Sequence, residues 1–112
     1  MQIEINNVIA SEETTCTGDA VTTVFSGKSF NSRAIILHNV GAINVWYKIL
    51  SKAATTPTTS TFSSTKKMGT VAPGETITIP MNCNGATLYL QNDSGASTTC
   101  AYCAYAVDGT AI

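Results

Sequence analysis

The sequence has few charged residues, one histidine and no long hydrophobic run. Charged residues make up 12% of its 112 residues, about half of the ~25% that is usual in globular domains. The net charge is −1, and the only two adjacent cations are Lys66 and Lys67, whereas nucleic-acid-binding domains usually carry a basic stripe. No apolar run approaches the ~20 residues of a transmembrane helix. We therefore expect neither a nucleic acid nor a membrane as partner.

We also expect no secretory signal, because the first ten residues have no basic segment followed by an apolar one. We expect the chain to be made in a cytoplasm, where its four cysteines begin reduced. A chain of 112 residues suits one folded unit. We expect a single domain over residues 1–112.

Helical periodicity is absent as well. Apolar and polar residues instead alternate in short segments, and turn-forming Gly, Pro, Asn and Asp residues separate those segments. Short alternating segments at such regular spacing are typical of antiparallel sandwiches. The sequence predicts an all-β fold, a jelly-roll-like antiparallel β-sandwich of about seven to eight strands.

The clearest alternation lies in residues 33–50, RAIILHNVGAINVWYKIL. It predicts a central hairpin of two strands joined by a turn at residues 40–42, with Gly41 in the positive-φ position. One face of this hairpin would be apolar and would point into the core. The expected opposite pairs are Leu37 with Val45, Ile35 with Tyr47, and Ile36 with Trp46.

A Ser/Thr-rich segment follows at residues 51–67, with Pro57 and with Phe62 as its only large apolar residue. This composition predicts a long exposed connection, which is either a contact element for a partner or a flexible loop without one. The last strand, at residues 97–107, is apolar on both faces and is expected to be covered on both. Tyr102 lies on this strand.

Cys100 and Cys103 form a CxxC pattern, which occurs in zinc sites and redox motifs. Here the pattern lies within a strand, where positions three apart point to opposite faces. No second CxxC exists, and Cys16 and Cys83 stand alone. Buried thiols are the favoured interpretation, while zinc or redox chemistry and a disulfide involving Cys16 or Cys83 stay open.

His38 could act as a general base, but no nucleophile elbow accompanies it. A histidine near a turn that makes a backbone hydrogen bond is the simpler interpretation. The carboxylates fall mostly in turns, and no phosphate-binding loop or dinucleotide fingerprint is present. We expect no catalytic residue, no cofactor and no metal, and so no enzyme.

Ile36 and Trp46 are the most informative side chains for binding. In the expected hairpin they lie side by side on the face away from the core, either beneath a second layer or as an exposed patch for a partner. The candidate partner contacts are Ile36, Trp46, Phe62 and Tyr102.

The order of these segments resembles a group of small phage structural proteins. The shared elements are I-x-L-H-N at residues 35–39, V-x-Y-x-I at 45–49, APGETITI at 72–79, LYL at 88–90 and SGA at 94–96. The resemblance spans roughly residues 33–107 and implies a virion component, most often a small sandwich bound to the outside of a capsid. The cysteines and the Thr-rich loop are not part of that pattern.

The sequence and the resemblance together predict a structural virion protein that decorates or cements a capsid lattice. Its partners would be the major capsid protein or other virion subunits, and the N-terminal strand could extend a neighbour's sheet. A homo-oligomer, specifically a trimer, is expected. The alternative is a glycan- or cell-surface-binding module of a fibre or spike, with Trp46, Tyr89 or Tyr102 as a stacking platform and Asn and Asp turns as hydrogen-bonding groups.

Overall fold

The computed structural model describes residues 3–18, 20–59, 61–93 and 98–111. These residues form eight strands, and within them no helix is present that is long and apolar enough to cross a membrane. The strands are β1 (Ile3–Thr17), β2 (Thr22–Thr23), β3 (Ala34–Asn39), β4 (Val45–Ser51), β5 (Gly69–Val71), β6 (Thr76–Pro80), β7 (Ala86–Asn92) and β8 (Thr99–Ala111).

The strands build two four-stranded antiparallel sheets that pack face to face. Sheet A has the order β1-β8-β3-β6, and sheet B has the order β2-β7-β4-β5. This is the strand order of a jelly roll, in which the chain is doubled back on itself and the doubled ribbon is rolled up. The predicted all-β sandwich is confirmed.

The chain doubles back on itself at the connection between β4 and β5. From that point outward the strands pair as β4 with β5, β3 with β6, β2 with β7 and β1 with β8, all antiparallel. The Ser/Thr-rich loop, residues 52–68, therefore lies where the chain turns back.

The core lies between the two sheets and is built by alternate residues of the strands. Sheet A contributes Ile35 and Leu37, and sheet B contributes Val45, Leu88 and Leu90, each at most 1% exposed. Burial of one such side chain stabilises a fold by roughly 1.5–3 kcal/mol. The alternation seen in the sequence thus identifies the inward residues correctly on these strands.

The predicted hairpin of residues 33–50 is wrong. β3 pairs with β6 and β8 in sheet A, whereas β4 pairs with β5 and β7 in sheet B. The chain therefore crosses from one sheet to the other between Asn39 and Val45. An alternating pattern determines which residues point inward, but it does not determine which strand lies alongside.

Asn39 explains why the crossing is stable. Its side chain is 1% exposed, and its amide nitrogen donates to the carbonyl oxygens of Ile43 at 2.8 Å and Val71 at 2.9 Å. Its amide oxygen accepts from the backbone nitrogen of Gly41 at 2.9 Å. One buried side chain thus replaces the ladder hydrogen bonds that a hairpin would have supplied.

Gly41 has a different role from the one predicted. The glycines with positive φ in the described chain are Gly18, Gly27 and Gly74. Gly41 instead packs closely against β8, where a Cβ atom would overlap the sulfur of Cys100 and lie 3.1 Å from the backbone nitrogen of Ala101. Glycine is needed at this position because a side chain would not fit, and not because the backbone is left-handed.

β1 is longer than predicted, because it continues through residues 11–17, a segment with turn-like composition. Ile3 pairs with Ala111 and Thr17 pairs with Thr99 at its two ends. The β1–β8 ribbon also extends past β3, whose pairing with β8 stops at Ala34 and Val107. The extension projects as a two-stranded ribbon from sheet A.

Candidate binding surfaces

Ile36 and Trp46 lie on opposite sides of the sandwich. Ile36 is on the outer face of sheet A, opposite Thr78 of β6 and Tyr105 of β8. Trp46 is on the outer face of sheet B, opposite Thr70 and Gln91. Both side chains are half-buried. They do not form the joint patch that the hairpin predicted, because β3 and β4 belong to different sheets.

Part of the outer face of sheet B lies beneath the loop of residues 52–68. Lys48 and Leu50 of β4 share a cavity lining with Pro57 and Thr61 of this loop. The ammonium group of Lys67 lies 5.8 Å from the centre of the Trp46 ring, within the range of a cation–π interaction. The loop therefore packs back onto the sheet.

Phe62 and Tyr102 present no surface to a partner. Phe62 is 0% exposed and lies outside the central core cluster, so the loop holds an apolar residue of its own. Tyr102 is 1% exposed and belongs to the central cluster. The polar composition of the loop gives no signal for the burial of Phe62, whereas the burial of Tyr102 agrees with the expectation that the last strand is covered on both faces.

The Tyr102 hydroxyl has a defined partner inside the sandwich. It donates to the carboxylate of Glu12 on β1 at 2.8 Å. The same carboxylate oxygen accepts from the backbone nitrogen of Phe25 at 3.1 Å. Phe25 has a φ of 54°, which is strained for a residue with a side chain. Glu12 thus links β1, β8 and the turn after β2.

The CxxC cysteines diverge, as their spacing on a strand requires. Cys100 lies in the core, where its thiol contacts the amide oxygen of Asn39 at 3.2 Å. Cys103 lies on the other face of β8, opposite His38. All four cysteines are free thiols. Among the described residues, no group of three or more His, Cys, Asp or Glu side chains is placed to hold a metal ion.

His38 lies within β3 and not in a turn. Its Nδ1 atom is 2.5 Å from the hydroxyl oxygen of Thr76 on β6. The predicted backbone hydrogen bond is therefore replaced by a side-chain hydrogen bond across two strands. This contact on the outer face of sheet A holds neighbouring strands together.

The β1 edge of sheet A is a candidate surface for a protein partner. β1 has β8 on one side and, in the part of the chain that the structure describes, no strand on the other. An edge strand leaves backbone N–H and C=O groups available to another strand. This edge position is what the expectation that the N-terminal strand could extend a neighbour's sheet requires.

Two exposed apolar side chains lie on this edge. Val8 is 56% exposed and Ile9 is 41% exposed. The pairing of β1 with β8 shifts register between Val8 and Ala10, so Ile9 is an inserted bulge residue. Sequence reasoning missed both residues as contact candidates, because alternation alone gives no indication of a bulge.

The fold and its edges define a jelly-roll β-sandwich protein. No family model matches its sequence, and no curated protein does. Among solved structures, the chain is similar to a crystal structure of PirA, with a TM-score of 0.53 and 16% identical residues. The match covers 91% of this chain and 96% of that chain. At this identity the similarity concerns the fold alone.

Proposed function

We propose that the protein is a non-enzymatic structural subunit that binds the outside of a viral capsid lattice, as a decoration or cementing protein. The observation that carries this proposal is the β1 edge, which combines unpaired backbone groups with the exposed side chains of Val8 and Ile9. Jelly rolls are also a common fold of capsid proteins. The resemblance to small phage virion proteins supports the same assignment.

The edge position of β1 suggests how the protein would bind a shell subunit. A strand of a shell subunit would pair with β1 through backbone hydrogen bonds, and its apolar side chains would cover Val8 and Ile9. The two register shifts of β1, near Asn6 and Ile9, interrupt the regular ladder, which disfavours indefinite strand addition. Weak contacts of this kind become strong when many copies bind one lattice.

The first experiment measures how many copies of the protein each particle carries. Quantitative mass spectrometry of gradient-purified particles from its source would compare this chain with the major shell protein. Hundreds of copies per particle are expected for a decoration protein. Absence from the particles would overturn the proposal, and a copy number of about a dozen or fewer would contradict the lattice role. The expected trimer is tested separately by sedimentation of the purified protein.

A second experiment tests the edge directly, by adding purified protein to particles that lack it. Replacing Val8 and Ile9 together with lysine should weaken binding at least about tenfold, which corresponds to ~1.4 kcal/mol. The matched control is Val40→Lys, because Val40 is 47% exposed and lies outside β1. Equal binding by the edge variant and the control would assign the contact to another surface.

A further inference from the structure

Two adjoining cavities lie on the side of sheet B. The first has a volume of about 210 Å³ and lies between the turn after β2, the start of β7 and the loop of residues 52–68. The second has a volume of about 240 Å³ and lies between β4 and the same loop. Thr56 lines both cavities. The two cavities therefore adjoin at Thr56, and they are the two compartments of the candidate site.

The charge of this site has one sign. Lys28 and Lys52 line the first compartment and Lys48 lines the second, and no Asp or Glu is among the described residues that line either one. Three of the six cationic residues of a chain with net charge −1 are thus collected here. A concave surface lined by one sign of charge concentrates counter-ions. The site is suited to an anionic ligand.

Lys52 is held in place. Its ammonium nitrogen donates to the backbone oxygen of Lys28 at 2.7 Å and to the hydroxyl of Ser29 at 2.8 Å. An ammonium group has three donors. The described residues accept two of them, and the third is directed to a ligand in the proposed site. The charge of Lys52 also acts on Cys83 in the same lining, where it opposes the burial that raises the pKa of that thiol.

The remaining lining is rich in hydroxyl groups. Thr23, Ser26 and Thr87 join Thr56 in the first compartment, together with the ring of Tyr89. Hydroxyl groups both donate and accept hydrogen bonds, which matches the hydroxyl groups of a sugar ring. A nucleic acid would be expected to need a longer basic stripe than this site provides.

We infer that this site binds an acidic saccharide, with its carboxylate or sulfate group between Lys28 and Lys52 and an adjacent ring reaching past Thr56 towards Lys48. The inference does not depend on the proposed function, because the lattice contact uses the edge of sheet A. The two surfaces could act together, with one attached to a particle and the other presented to a saccharide.

The test is calorimetric titration of the full chain with a sulfated heparin-derived tetrasaccharide. Binding is expected, and it should weaken as salt is raised, because the contact is ionic. A neutral maltotetraose of the same length should not bind. Failure of the sulfated tetrasaccharide to bind at about millimolar concentration would overturn the inference. So would equally tight binding of inorganic sulfate, because the ring would then contribute nothing.

Charge variants locate the site. Lys28→Gln and Lys52→Gln should each weaken binding several-fold, whereas Lys66→Gln, an exposed lysine of the same loop that lines neither cavity, should change it less than about twofold. Lys28→Gln is the more informative change, since Lys28 contributes its backbone oxygen and not its side chain to the anchor of Lys52. An equal loss of affinity in all three variants would show that the saccharide is attracted to positive charge in general, and it would overturn the assignment of the site.

Discussion

The carboxylate of Glu12 and the hydroxyl of Tyr102 meet at 2.8 Å inside the sandwich, and the bond joins the edge strand β1 to the central strand β8 of the same sheet. The Glu12 carboxylate also holds the strained backbone of Phe25. One acidic side chain therefore positions the edge of sheet A relative to the turn that leaves β2.

Replacing Glu12 with alanine should lower the free energy of unfolding by about 1.5–3 kcal/mol, the range for a hydrogen bond to a charged group. The change leaves the Tyr102 hydroxyl without its partner in the core. Urea denaturation at neutral pH measures the effect. Glu13→Ala is the matched control, because Glu13 is exposed, and it should shift stability by less than about 0.5 kcal/mol. Equal midpoints for the two variants would contradict this role.

Replacing Gly41 with alanine should destabilise the fold by about 1–3 kcal/mol, the usual cost of overpacking. The new Cβ would press against the sulfur of Cys100 and against the backbone atoms of Cys100 and Ala101, and the backbone atoms cannot rotate out of the way. Thermal unfolding of this variant can be compared with that of Gly85→Ala, where a Cβ meets nothing within 4 Å. A Gly41 variant as stable as the control would show that the crossing segment can move away from β8.

Stability should fall in alkaline solution. Burial, the main cause, raises the pKa of Cys16 from 9.0 to about 12, and burial together with Glu12 raises the pKa of Tyr102 well above its usual value near 10. Above about pH 9 the unfolded chain loses protons that the folded chain keeps, so the free energy of unfolding decreases by up to ~1.4 kcal/mol per pH unit for each group.

Urea denaturation at several values between about pH 8 and pH 11 measures this loss. Stability should be nearly constant below pH 9 and should then decline. The stability of Tyr102→Phe should decline less steeply than that of the unchanged protein above about pH 10, since the variant lacks one of the groups whose pKa is raised. A midpoint that stays constant up to pH 11 would contradict the assignment.

The facing cysteines, Cys16 on β1 and Cys100 on β8, should remain thiols. The backbone nitrogen of Gly18 donates to the oxygen of Thr98, so Cys16 and Cys100, two residues further along each strand, form a hydrogen-bonded pair. In such pairs the Cα atoms are about 5.5 Å apart and the side chains are less close than in the alternate pairs. A disulfide needs Cβ atoms within about 3.5–4.5 Å.

Alkylation in denaturant without a reductant, followed by intact mass measurement, counts these thiols. Four modified cysteines are expected, because all four are free in the folded chain. A mass that corresponds to two modifications would reveal a disulfide. Peptide mapping would then assign it.

The sequence predicted which residues point into the core better than it predicted which strands lie side by side. Ile35, Leu37 and Val45 are inward, as the alternation indicated. The partner strands could not be predicted in the same way, because the crossing depends on the buried amide of Asn39. An asparagine two residues before a glycine equally suggests a turn. The lysine-lined site could not be predicted either, because Lys28 is distant in sequence from Lys48 and Lys52, and only the folded chain brings the three together.

The nested pairing of strands determines the order in which the fold can be completed. β8 lies between β1 and β3 in sheet A, and it is the last of the eight strands to leave the ribosome. β1, the first to emerge, must therefore wait for about a hundred residues of synthesis before its only described neighbour exists. β1, with the side chains of Val8 and Ile9, is accordingly exposed on both edges until β8 has been synthesised, and folding of this chain should be slow for its size.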